Sequence, residues 1–114
     1  MNAPSVTTAP RLSGSRVVVT GGARGIGGAI AARLAVEGAD ICILDRLVPE
    51  GTAHAAAIGG RFIEVDLLKP DDITRAMDEA LTSLGGVDVL VNSAGIFKLI
   101  PLLDITVEDW NTMF

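Results

Sequence analysis

Short apolar runs alternate along this chain with longer stretches that are amphipathic or rich in alanine. The runs carry many β-branched and aliphatic residues, and they predict four strands, at residues 16–20, 40–45, 61–66 and 87–91. The second run is apolar without a break at residues 41–44, which is typical of a strand covered on both faces. The pattern therefore indicates a buried parallel sheet.

The stretches between these runs predict helices at residues 25–37, 49–58 and 71–84, and the last of these has apolar side chains at helical spacing. A glycine follows each stretch, as is common at helix ends. A further helix begins at residues 106–109. Alternating strands and helices predict an α/β fold, a Rossmann-type doubly wound parallel sheet with right-handed crossovers and the strand order 3-2-1-4.

The alternating pattern breaks off inside its last helix, at residue 114. The first ten residues are mostly small and polar, and we expect residues 1–11 to form a flexible N-terminal tail. Residues 12–114 are expected to be the N-terminal part of a dinucleotide-binding domain whose pattern is cut off rather than completed.

The composition is that of a globular protein, with 49% hydrophobic and 20% charged residues. A net charge of −5 argues against a protein that follows a nucleic-acid backbone, because such proteins need a basic face. The single Cys42 and the single His54 cannot form a Cys/His zinc site, and no apolar run is long enough to span a membrane. The first residues lack the apolar core of a secretory signal. We expect a cytoplasmic protein in which Cys42 is a small buried residue and His54 lies at the surface.

The most informative stretch is Thr-Gly-Gly-Ala-Arg-Gly-Ile-Gly at residues 20–27, which follows the first strand directly and opens the first helix. Gly21, Gly25 and Gly27 let the backbone turn tightly and approach an anion, and the helix behind them presents unpaired N–H groups. Their spacing differs from the common dinucleotide fingerprint, and the Lys-Ser or Lys-Thr pair of a Walker loop does not follow. The loop predicts a site for a nucleotide diphosphate, and the alternative is a purely structural turn.

Asp45 ends the second run, 18 residues after Gly27. A carboxylate at this distance can accept hydrogen bonds from an adenosine ribose, and it repels a 2′-phosphate. This favours NAD over NADP, although Arg24 and Arg46 each carry a guanidinium that can pair with such a phosphate. The alternatives for Asp45 are an exposed loop acid and an ion-pair partner of Arg46.

Asp66 ends the third run, where its carboxylate could accept a hydrogen bond from the amino group of adenine. The alternative is an acid at the start of the third helix, beside Asp71 and Asp72. The turn Asn-Ser-Ala-Gly at residues 92–95 ends the fourth run, on the side where open α/β sheets bind ligands. Small residues there let a cofactor ribose and pyrophosphate come close, and the alternative is an ordinary strand-ending turn.

Together, the Thr-Gly-x-x-x-Gly-x-Gly loop, Asp45, Asp66 and the Asn-x-Ala-Gly turn resemble the short-chain dehydrogenase/reductase family over residues 12–114. The resemblance implies hydride transfer between a small-molecule alcohol or ketone and nicotinamide, in a homodimer or homotetramer. One departure is Ser93, where the family usually has a second Asn. The cofactor-binding residues expected on these grounds are Gly21, Ala23, Arg24, Gly25, Ile26, Gly27, Asp45, Arg46, Asp66, Leu67, Asn92, Ala94 and Gly95.

The catalytic residues that the resemblance implies have no counterpart in this sequence. The family has a catalytic Asn about two turns beyond the position of Trp110, so Asn111 is not that residue, and then a Ser and a Tyr-x-x-x-Lys whose tyrosine acts as general acid or base. The sequence contains no tyrosine. We therefore expect a cofactor-binding fragment of an oxidoreductase that is inactive by itself. The alternatives are a non-catalytic nucleotide-binding or interaction module and a methyltransferase with a similar glycine loop.

Overall fold

The computed structural model describes residues 11–94 and 107–108. Within these residues, four strands and three helices alternate along the chain. Residues 107–108 are helical, in agreement with the helix start expected at 106–109, whose other residues lie outside the described part. The elements are β1 (Arg16–Thr20), α1 (Gly25–Val36), β2 (Asp40–Asp45), α2 (Val48–Ile58), β3 (Arg61–Glu64), α3 (Pro70–Leu84) and β4 (Val89–Asn92).

The strands form one parallel sheet in the order β3-β2-β1-β4, which confirms the predicted order. On β1, Val18 lies opposite Cys42 of β2 on one side and opposite Leu90 of β4 on the other. The chain first winds from β1 outwards to β3 and then returns to the far side of β1. The carboxyl ends of β1 and β4 therefore flank a topological switch point, which is where open α/β sheets bind ligands.

Helices cover both faces of the sheet. Ile41 and Ile43 of β2 belong to the core beneath α1 and α2, whereas Cys42 and Leu44 belong to the core beneath α3. Successive side chains of a strand point to opposite faces, so a strand with two covered faces must be apolar at every position. Burial also raises the pKa of the Cys42 thiol to about 11, which keeps it protonated at neutral pH.

Two strands end at positions different from the predicted ones. The apolar runs predict strands at residues 61–66 and 87–91, but β3 already ends at Glu64 and β4 extends to Asn92. Glu64 pairs with the last residue of β2, so the ladder stops there. Asn92 pairs with Thr20, the last residue of β1, and the ladder continues that far. The neighbouring strand, rather than the apolar run itself, sets these ends.

An arginine–aspartate pair joins the amino ends of β1 and β4, at the edge of the sheet opposite the glycine loop. Nε and Nη2 of Arg16 donate to the Asp88 carboxylate at 3.1 and 3.0 Å, and Nη1 donates to the backbone oxygen of Gly85 at 2.9 Å. The backbone N–H of Arg16 donates to the same carboxylate at 2.8 Å. The side-chain hydrogen bond and then the backbone one lower the pKa of Asp88 to about 2.

Replacing Asp88 by Asn should destabilise the fold at neutral pH but have little effect near pH 2. The folded carboxyl has a pKa of about 2 against an ordinary value of 3.8, so its stabilising contribution is complete above 3.8. It is lost as the pH falls through about 2. Denaturant titrations of the wild type and of Asp88→Asn across this acid range should therefore converge at the lower end.

The control for this comparison is Asp78→Asn, which removes a carboxylate from an exposed position of α3. It should give a smaller difference in the free energy of unfolding that does not follow the same acid transition. A deficit of Asp88→Asn that stayed constant down to the lowest pH would contradict the assignment of this pair.

Candidate cofactor site

The carboxyl ends of the strands in the described sheet open into one groove of about 1250 Å³. Thr20 of β1, Asp45 of β2 and Asn92 of β4 line it, and the segment that follows β3 adds Asp66 and Leu67. Parallel strands place their last residues at the same edge, so positions that are distant in the sequence converge here. The separate polar features that follow the strands in the sequence therefore belong to one cavity.

The glycine loop packs directly against the turn that follows β4. Gly21 has a φ of +68°, and a Cβ there would lie 2.7 Å from the Cα of Ala94, so both its conformation and its contact require glycine. Gly27 lies in the first turn of α1, where a Cβ would overlap with the carbonyl oxygen of Gly21. These two glycines let the end of β1, the start of α1 and the β4 turn pack backbone against backbone.

Gly25 has a different environment, because it faces open space. Its φ is +63°, and a Cβ there would have none of the described heavy atoms within 4 Å. α1 begins at this residue, and within the described chain its N-cap residue Arg24 makes no side-chain capping hydrogen bond and its first turn has no acid. The N–H groups at the start of a helix carry a partial positive charge. The start of a helix with these features is a general site for anions.

Thr20 links β1 to β4 where these strands enter the site, a role that the sequence analysis missed. Its side chain is 7% exposed, and its hydroxyl accepts from the N–H groups of Ser93 and Ala94 at 3.2 and 3.4 Å. The same hydroxyl donates to the carbonyl oxygen of Val91 at 3.4 Å. The available signal was a threonine at the end of an otherwise apolar run, immediately before the glycine loop.

Asp45 is half-buried, and both of its carboxylate oxygens accept hydrogen bonds from the backbone. One oxygen accepts from the N–H of Ala23 in the glycine loop, and the other accepts from the N–H of Leu47, each at 3.1 Å. Within the described residues its partners are thus backbone groups, not Arg46, and it is not an exposed loop acid. The carboxylate ties the second strand to the glycine loop while it lines the groove.

Asp66 lies at the far end of the groove, in the turn between β3 and α3. Its Oδ1 accepts from the N–H of Leu68 at 3.0 Å, and its Oδ2 lies 3.9 Å from Nζ of Lys69. Its own backbone N–H donates to Oδ2 of Asp72 at 2.6 Å. Asp66 therefore lines the groove and also contacts the turn that leads into α3.

The structure brings most of the expected cofactor residues to this groove. Ala23 and Gly27 are buried behind it, Ile26 is 77% exposed, and Gly95 lies outside the described residues. The residues that line the groove are Gly21, Arg24, Gly25, Asp45, Arg46, Asp66, Leu67, Asn92 and Ala94.

His54 lies outside this groove, at the contact between α2 and α1. Its Nε2 is 2.8 Å from the carbonyl oxygen of Gly28, and the ring is partly buried rather than fully at the surface. Among the described residues, no group of three or more His, Cys, Asp or Glu side chains could hold a metal ion. No helix in this part of the chain is long and apolar enough to cross a membrane.

A family model of the short chain dehydrogenases matches residues 15–114. The chain therefore belongs to the short chain dehydrogenase family. The parallel sheet and the groove at the carboxyl ends of its strands agree with this membership.

Curated relatives and a solved structure show the same likeness. The 3-alpha-(or 20-beta)-hydroxysteroid dehydrogenase of Mycobacterium tuberculosis is 38% identical over 102 residues, which are 88% of this chain and 39% of the relative. The L-2,3-butanediol dehydrogenase of Corynebacterium glutamicum is 40% identical over 104 residues, 85% of this chain and 40% of that protein. A short chain dehydrogenase from Burkholderia cenocepacia, solved in complex with NADP, is 42% identical with a TM-score of 0.81, covering 90% of this chain and 44% of that one. The chain thus spans about two fifths of the length of the curated relatives it matches.

Gly21→Ala should destabilise the fold clearly more than Gly14→Ala. Both residues have positive φ, at +68° and +84°, so an alanine at either position costs about 1–2 kcal/mol of backbone strain. Only Gly21 also meets the backbone of Ala94, and such overpacking adds roughly 1–3 kcal/mol. Denaturant unfolding of the two variants measures the difference, and equal losses would show that the close approach is not required.

Proposed function

We propose that this chain forms the dinucleotide site of an NAD-dependent oxidoreductase that interconverts a secondary alcohol and a ketone. The observation that carries the proposal is the start of α1, which has no side-chain cap among the described residues and opens into the groove at the strand ends. The names of the relatives support the substrate class, because a hydroxysteroid and 2,3-butanediol both carry secondary hydroxyl groups.

Each part of the cofactor has a counterpart in the groove. The pyrophosphate would lie against Gly25 and the first N–H groups of α1, and the adenosine ribose against Asp45. Adenine would lie at the far end, where Asp66 accepts a hydrogen bond from its amino group. The turn at Asn92 would hold the nicotinamide half of the molecule. The bound nicotinamide supplies the hydride chemistry, and the residues of this chain bind and orient it.

The preference for NAD follows from the charges at the ribose position. A 2′-phosphate beside Asp45 would be repelled by a half-buried carboxylate that two backbone N–H groups hold in place. Arg24 and Arg46 also line the groove, but both are exposed, and an exposed ion pair contributes only about 0–1 kcal/mol. The repulsion therefore outweighs the attraction.

The whole protein is proposed to act in the cytoplasm as a homodimer or homotetramer. The sequence bears on the activity of this chain and on the compartment. Without a tyrosine, residues 1–114 lack the general acid or base that the family resemblance implies. With Cys42 as the only cysteine, the sequence has no internal disulfide, which suits a reducing compartment.

Calorimetric titration should show that residues 1–114 bind NAD weakly and NADP about tenfold more weakly still, because Asp45 repels the 2′-phosphate. Asp45→Asn should reduce the difference between the NAD and NADP affinities, mainly by improving NADP binding. It removes the charge but keeps an oxygen that can accept from Ala23. Asp45→Ala, which also releases that N–H, should weaken both ligands. Equal or tighter binding of NADP by the wild type would contradict the preference.

Residues 1–114 should not oxidise secondary alcohols in the presence of NAD. The sequence has no tyrosine to take the proton from the hydroxyl group, so bound cofactor and alcohol have no general base of that kind. The assay follows NADH formation with a panel of secondary alcohols, and a complete short chain dehydrogenase with its own alcohol is the positive control. Sustained NADH formation above the enzyme-free rate would refute this expectation.

A further inference from the structure

A charged network lies beside the adenine end of the groove, on the first half of α3. Nε of Arg75 donates to Oδ1 of Asp72 at 2.9 Å, and its Nη1 pairs with Glu79 one turn further along. Nη2 reaches away from the helix and donates to the backbone oxygen of Glu64, the last residue of β3, at 2.6 Å. One guanidinium therefore connects the helix to the end of the strand.

The second oxygen of Asp72 bonds the segment that follows β3, and Asp72 itself lines the groove. Oδ2 accepts from the backbone N–H of Asp66 at 2.6 Å. The hydrogen bond from Arg75 and then the one from Asp66 lower the pKa of the Asp72 carboxyl, so it remains an ionised acceptor. Between these attachment points lies Val65, which is buried and whose N–H donates to the backbone oxygen of Asp45 at 3.0 Å. The segment Glu64–Asp66 is thus bonded to β2 at Val65. It is bonded to α3 at Glu64 and at Asp66.

The direction of the Asp66 side chain depends on this segment. The ladder between β3 and β2 stops at Glu64, so within the described sheet Asp66 has no strand partner that would fix its backbone. Its carboxylate lines the groove and is turned by the hydrogen bond from Leu68. The contacts from Asp72 and Arg75 take the place of the missing ladder.

We infer that Asp72 and Arg75 are positioning residues for adenine, which hold the backbone at Asp66 so that its carboxylate faces the exocyclic amino group. This inference rests on the proposed function, because it assigns a role within the same dinucleotide site. An exposed ion pair contributes little to stability, so the effect of the network lies in ligand selectivity rather than in the melting temperature.

The test compares ADP with IDP, whose base carries a carbonyl oxygen where adenine has the amino group. Wild-type residues 1–114 should bind ADP more tightly, because Asp66 accepts from the amino group and repels the carbonyl. Arg75→Ala and Asp72→Ala should each lower the ratio of ADP to IDP affinity by about tenfold, as expected for a lost hydrogen bond to a charged group. The double variant should lower it no further, because the two residues act through one network.

Glu79→Gln is the matched control, since it changes a partner of Arg75 on the helix surface and leaves the contacts with Asp72 and Glu64 in place. Glu79→Gln should keep the wild-type ratio of ADP to IDP affinity. Circular dichroism verifies that each variant is folded. If Arg75→Ala does not fold, Arg75→Lys takes its place. Lysine keeps the charge but cannot bond Asp72, Glu79 and the backbone of Glu64 together, as the guanidinium does. The same loss of selectivity between ADP and IDP is therefore expected.

The outcomes separate the inference from the proposed function. Two results would overturn the inference while the dinucleotide site stands. One is an unchanged ratio of ADP to IDP affinity in the variants, even if both affinities fall. The other is a wild-type chain that binds ADP and IDP alike. A wild-type chain that binds neither ADP nor NAD would overturn the proposed function and the inference with it.

Discussion

Gly21 and Ala94 approach each other more closely than any side chain at position 21 would allow. This backbone contact brings the end of β1 against the end of β4, and the buried hydroxyl of Thr20 bonds the same turn. Because Gly27 in turn packs on the carbonyl of Gly21, the start of α1 is set relative to both strands. The orientation of the start of α1, which lines the groove through Gly25, depends on this contact.

The fold could be predicted from the sequence because burial and helix ends restrict which residues can occupy particular positions. The strand at Asp40–Asp45 has both faces covered, so its apolar run is continuous, and Gly59 and Gly85 end helices in the left-handed conformation that glycine favours. The ends of β3 and β4 could not be predicted in the same way. Whether a residue belongs to a strand there depends on the length of the strand beside it, and the sequence of the segment itself does not carry that information.

The sequence predicted which residues line the groove better than it predicted their hydrogen bonds. Asp45 ends β2 and Asp66 follows β3, as the apolar runs indicate, and both line the groove. Their hydrogen bonds to Ala23 and Leu68, and the contact between Asp72 and Asp66, depend on how loops meet in space. Thr20 was passed over for the same reason, because its partners lie more than seventy residues away.

Asp45 and Asp66 each line the groove and each accept hydrogen bonds from the backbone. This double role limits which substitutions can change cofactor selectivity. Asp45 lines the groove where the ribose is proposed to bind, and it also accepts from the N–H of Ala23 in the glycine loop. A substitution that removes its charge to admit a 2′-phosphate also removes an acceptor from the loop, unless the new side chain supplies an oxygen at the same place. Asp66 is subject to the same constraint through Asp72 and Leu68. In the proposed site, the two acids that would select the cofactor therefore also fix the backbone of the glycine loop and of the turn after β3.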